Sequence, residues 1–120
     1  MDSRSVTFNG SLSDPIARTK FQKEQDEFRK LFHDLNAEAV RLSTKLERLI
    51  TTHKKLRIDK MILTGKMRAC KDEEEKSKME LELQTISVNI QNARKTIYIA
   101  GNTLNSTIDE CNAVGRKILW

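Results

Sequence analysis

The sequence predicts an all-α protein: elongated coiled-coil helices, folded as an antiparallel helical hairpin within a larger helical bundle. Three observations lead there. The first is a seven-residue repeat of large apolar residues, Phe21, Phe28, Leu35, Leu42, Leu49, Leu56 and Leu63, ending at Cys70. A second column, Gln25, Phe32, Ala39, Leu46, His53, Lys60 and Met67, runs beside it. Alternating steps of four and three put both columns on one helix face, as the a/d seam of a coiled coil with the leucines at d. The second is composition: 32% charged residues, 5% aromatic, four glycines and one proline. That balance suits extended helix, and so few aromatics supply neither a large core nor an enzyme pocket. The third is a phase break. After Cys70 the d column should reach Ser77, but the next repeat starts at Met79, two residues late. Coiled-coil discontinuities ordinarily insert three or four residues, so a shift of two implies a real break or a change of partner.

Residues 1–13 are polar, with Gly10 among serines and a threonine, and read as a flexible N-terminal tail. The helical domain then covers 14–120. Asp14-Pro15 is a helix start: Asp14 can cap free backbone N–H groups, and Pro15 at the first helical position lacks an N–H that would be orphaned anyway. No further proline or glycine interrupts the chain before Gly65, so the first helix is expected over about 15–64.

The turn is expected between 65 and 75. Lys66, Arg68 and Lys71 are followed at once by Asp72, Glu73, Glu74 and Glu75. Cations favour a helix C-terminus and carboxylates an N-terminus, and Asp72 with Glu75 fits a capping box. The same charges could instead pair inside one continuous helix, Arg68 with Asp72 and Lys71 with Glu75.

The second helix is expected over about 76–119. Its columns are Leu83, Ile90, Ile97, Leu104, Cys111, Ile118 and Met79, Ile86, Ala93, Ala100, Thr107, Val114. The small residues of the latter let another helix approach closely. Helix propensity dips over Thr96-Ile97-Tyr98-Ile99, just before Gly101, where a kink is expected. Gly115 falls in an expected fraying last turn. Two alternatives to the hairpin stay open at this point: one bent helix through a larger bundle, and a compact three-helix bundle with a further turn near Gly101.

Chemistry-bearing residues are scarce. His33 lies beside the first seam and His53 on it, and neither has the spacing of a metal site or a triad. Gly65-Lys66 lacks the upstream glycine of a phosphate loop. Cys70 and Cys111 fall on seam positions, as buried free thiols, with no zinc spacing. The chain therefore reads as a non-enzyme without cofactor, metal or small-molecule substrate. It shows no signal peptide and no transmembrane segment. A reducing compartment, cytoplasm or nucleus, is the expected location.

The expected function is that of a structural or scaffolding subunit in a hetero-oligomeric helical complex, with other helical subunits as partners. The residues expected to bind them are Phe28, Phe32, Leu35, Leu42, Leu46, Leu49, Leu56, Leu63, Leu83, Ile86, Ile90, Ile97 and Leu104. Ile50, Ile58, Met61 and Ile62, off the seam, are expected to widen the buried face for further helices. Polar His53 and Lys60 at a positions would set register and partner choice. The net charge of +5 is mild and interspersed. Its densest cationic stretch is Lys45, Arg48, Lys54, Lys55, Arg57 and Lys60; Lys45, Arg48, Lys54, Lys55 and Arg57 suggest weak contact with an anionic surface, and a second function class: a basic helical module on cytoskeleton or nucleic acid. The heptads of 103–119, with the ending Gly115, Ile118, Leu119, are loosely similar to SNARE helices. That resemblance implies a third class, a membrane-traffic regulator or tether.

Overall fold

Helix α1 runs from Pro15 to Ala69 and helix α2 from Glu73 to Gly115. The structure, a computed structural model, describes residues 15–120. The expected N-terminal tail and the cap at Asp14 lie outside the described residues. The two helices pack as a hairpin, so neither the bent helix nor the three-helix bundle forms.

The reversal takes three residues, 70–72. Lys66 and Arg68 occupy the last turn of α1, and Glu73, Glu74 and Glu75 the first turn of α2, each set facing the helix end whose dipole it complements. Cys70 N–H bonds to the Met67 carbonyl at 3.2 Å, tightening the end of α1. Asp72 is the N-cap: its Oδ1 accepts the Glu74 N–H at 3.0 Å, and its carbonyl accepts the Lys76 N–H at 2.9 Å. The helices thus extend further toward the turn than expected. α1 passes through Gly65 because Leu63, Met67 and Cys70 keep the seam half-buried beyond it, and this outweighs the ~1 kcal/mol that glycine costs a helix. α2 starts at Glu73 because Asp72, not a later residue, takes the capping role.

Nor does α2 break at Gly101. Ile97 and Leu104 are half-buried and Ala100 is buried, so the seam holds both sides of the glycine. The hydroxyls of Thr96 and Thr103 fold back onto the carbonyls four residues earlier, at 2.9 and 3.0 Å, which satisfies them within the helix.

Packing divides the chain into two sections: a terminal section, 15–39 with 106–120, and a turn section, 40–105. In the turn section Leu42, Ile90 and Ala100 are buried, and Leu46, Leu49, His53, Leu56, Leu63, Leu83, Ile86, Ala93, Ile97 and Leu104 are half-buried. Every seam position there follows the heptad pattern except Lys60, which is exposed. In the terminal section Gln25, Thr107, Cys111 and Ile118 are buried, with Phe21, Phe28, Phe32 and Leu35 half-buried. Of the two thiols expected to be buried, Cys111 is, whereas Cys70 at the turn is only half-buried; both are free.

Candidate functional site

The terminal section is closed by polar side chains that grip backbone. After Gly115 the chain leaves the helix by short turns, Lys117 N–H to Val114 O at 2.9 Å and Ile118 N–H to Gly115 O at 3.3 Å. This frees the backbone of 117–119 for other partners. Gln25, 5% exposed on the α1 seam, supplies them. Its Nε2 donates to the Lys117 carbonyl at 3.1 Å, and its Oε1 accepts the Leu119 N–H at 2.9 Å. Both ends of the amide are thereby satisfied, as a buried amide requires. Arg29 adds a bond from its guanidinium to the Leu119 carbonyl at 2.9 Å.

Apolar contacts seat the same segment. Ile118 is buried, Lys117 Nζ lies 5.7 Å from the Phe28 ring centroid, and Phe32 meets Trp120 edge-on at 5.5 Å and 74°. The last turn of α2 is therefore packed, not frayed. A Cβ at Gly115 would come within 2.9 Å of the Phe32 ring, so glycine is what lets α2 approach so closely. Gly115 and Ile118, which carry the loose likeness to SNARE helices, are engaged inside the chain.

The turn section instead presents open surface. The seam residues expected to bind partners all lie between the chain's own helices, in one section or the other, buried or half-buried. Ile50, Ile58, Met61 and Ile62, expected to serve further helices, lie outside the face the two helices bury; all four are exposed. At 100° per residue Ile58, Met61, Ile62 and Gly65 fall on the side of α1 opposite Leu56 and Leu63. On α2 the exposed Leu81, Val88 and Ile99 lie likewise opposite Ile90, with Tyr98 exposed on the flank.

Between helices and outer face runs an open groove lined by Arg57, Lys60, Met61, Thr64, Gly65 and Arg68 of α1 and Ile90 and Arg94 of α2. Four cations face it and no carboxylate does. Of the basic stretch read from the sequence, Arg57 and Lys60 line this groove. Lys45, Arg48, Lys54 and Lys55 are exposed elsewhere on α1. Arg68 and Arg94 join it because the turn folds α2 back along α1. One further departure lies on the seam: His53 is half-buried, and its enclosed Nε2 has no hydrogen-bond partner.

Sequence reasoning missed Gln25, Arg29 and Arg94. A signal for the first existed. Gln25 is polar at an a position, like His53 and Lys60, and it and Lys117 are equidistant in sequence from Lys71 at the turn.

Among the described residues no group of three or more His, Cys, Asp or Glu is placed to hold a metal ion. No helix among them is long and apolar enough to cross a membrane. Compared with family models, with curated proteins and with solved structures, the chain matches none of them.

Proposed function

We propose that the chain is a structural subunit of a hetero-oligomeric helical complex, acting by lengthwise packing of its helices against helices of partner subunits. The observation that carries this reading is the apolar outer surface of the turn section. Ile58, Met61 and Ile62 are 54%, 72% and 53% exposed and adjoin one another on one helical face. Single exposed apolar residues are ordinary, but a contiguous patch marks an interaction surface. No side chain among the described residues is fully buried, so a two-helix layer leaves much of its apolar surface for a further layer to cover. The free thiols Cys70 and Cys111 fit a reducing compartment.

The reading is tested by purifying the tagged full chain from its native source and measuring the mass and stoichiometry of what accompanies it. Stoichiometric helical subunits are expected, released by Ile58→Gln, Met61→Gln and Ile62→Gln together. The triple variant alone should melt like the parent chain, because these side chains are exposed. A chain that is monomeric in extract and unaffected by the triple change overturns the proposal. Steeply salt-dependent capture on DNA, microtubules or anionic vesicles, with no subunit partner, would replace it with the basic-module reading.

A further inference from the structure

We infer that the groove lined by Arg57, Lys60, Arg68 and Arg94 docks an acidic amphipathic helix of a partner subunit. The inference rests on the subunit reading and names the chemistry of one partner and its seat. Charge complementarity is the first argument. Four cations converge from two helices, no carboxylate lines the groove, and among the described residues none of the four forms an ion pair. Arg57 and Lys60, one turn apart on α1, repel each other modestly, and an anionic occupant relieves that cost.

Spacing argues for a helix as the carrier of that charge. Arg57 and Arg68 are three turns apart on α1, roughly 16 Å at 1.5 Å per residue. A single phosphate group spans too little of that length to meet both, whereas carboxylates repeating every three or four residues on a partner helix meet the cations in turn. Nor is the groove merely charged. Met61 and Gly65 form its outer wall and connect it to the exposed patch around Ile58 and Ile62, giving an occupant with an apolar face somewhere to bury it. A Cβ added at Gly65 would meet nothing within the chain. Glycine there fills no internal need, and its bare backbone lets an occupant approach closely. No aromatic ring lines the groove, so it offers no platform for stacking bases.

The full chain is titrated with two stapled helical peptides by fluorescence anisotropy. One carries glutamates at i, i+3, i+7 and i+11 with leucines beside them; its twin carries glutamine at each glutamate. The glutamate peptide should bind about tenfold more tightly, since several exposed ion pairs of modest worth add up to that. The advantage should shrink as salt rises. Arg57→Glu with Arg94→Glu should abolish it, and a lysine version of the peptide should bind that variant instead. Gly65→Leu should weaken the glutamate peptide while leaving the fold intact, which circular dichroism checks for every variant.

Equal binding of both peptides, or binding unchanged by the charge reversal, overturns the inference. So does tight binding of inositol hexakisphosphate or single-stranded RNA without binding of the glutamate peptide, which would make the groove a phosphate site. Failure of both peptides also overturns it. None of these results touches the subunit reading, which is judged from native stoichiometry and from Ile58, Met61 and Ile62.

Discussion

In the terminal section Gln25 and Arg29 bond to the backbone of 117–119, and Phe32 packs on Trp120 and against Gly115. In the turn section the helices meet through a seam of mainly apolar residues, buried at Leu42, Ile90 and Ala100, which Lys60 interrupts as an exposed cation and His53 as a half-buried ring whose Nε2 has no hydrogen-bond partner. The same two helices thus carry two kinds of surface. One section uses its polar and aromatic side chains to fix a single internal arrangement. The other keeps cations and apolar side chains facing outward. Directional hydrogen bonds to backbone specify geometry within a chain, whereas unspent charge and apolar area are what a partner can use. The proposed partner binding therefore draws on the turn section.

The comparison breaks most readily at the seam. Leu42→Asp with Leu49→Asp places one carboxylate at a buried position and one at a half-buried position of the turn section. Uncompensated charge there costs several kcal/mol. Helical circular dichroism should collapse, with amide exchange protection lost across 40–105. An unchanged melting curve would mean that the seam does not hold this section.

A smaller effect isolates the clamp. Gln25→Leu keeps volume and removes both hydrogen bonds, and solvent near the exposed Lys117 and Leu119 replaces part of the loss. The expected cost is about 1 kcal/mol, with faster exchange of the Leu119 amide and no change in protection within 40–105. Protection of Leu119 that survives the substitution would show that Arg29 and the aromatic contacts suffice.

The smallest effect has the opposite sign. Gly101 lies inside α2, and a Cβ there meets nothing within 4 Å. Gly101→Ala should stabilise the chain by about 0.5–1 kcal/mol through helix propensity alone, read as a rise of a few degrees in melting temperature. A fall instead would mean that the turn section needs a small residue at this place.

The heptad columns were legible in the sequence because a 3.6-residue helix must bring such residues to one face, whatever covers them. Apart from the exposed Lys60, both columns of each helix are buried or half-buried in the structure, down to Ile118 just past the end of α2. The turn was legible too: the switch from Lys66 and Arg68 to Asp72 and the three glutamates is a local dipole signal, and the two-residue phase shift marks where the stripe changes course. Its position was less sharp, since burial of Met67 and Cys70 carries α1 past a glycine that local propensity disfavours.

What the sequence could not decide is what each stripe packs against. A heptad states that a face is apolar and is silent on whether the opposite face belongs to the same chain. Hence residues such as Leu42, Leu56 and Ile90, read as a partner surface, are buried or half-buried within the chain's own hairpin, and Ile58, Met61 and Ile62 are left outside. Gln25 with Lys117 and Leu119, or Arg57 with Arg94, are pairings across the turn, and periodicity within a single helix holds no information about them. They follow only once the three-residue reversal at 70–72 sets the register, because that register determines which distant backbone groups stand within hydrogen-bond reach and which cations come to share one groove.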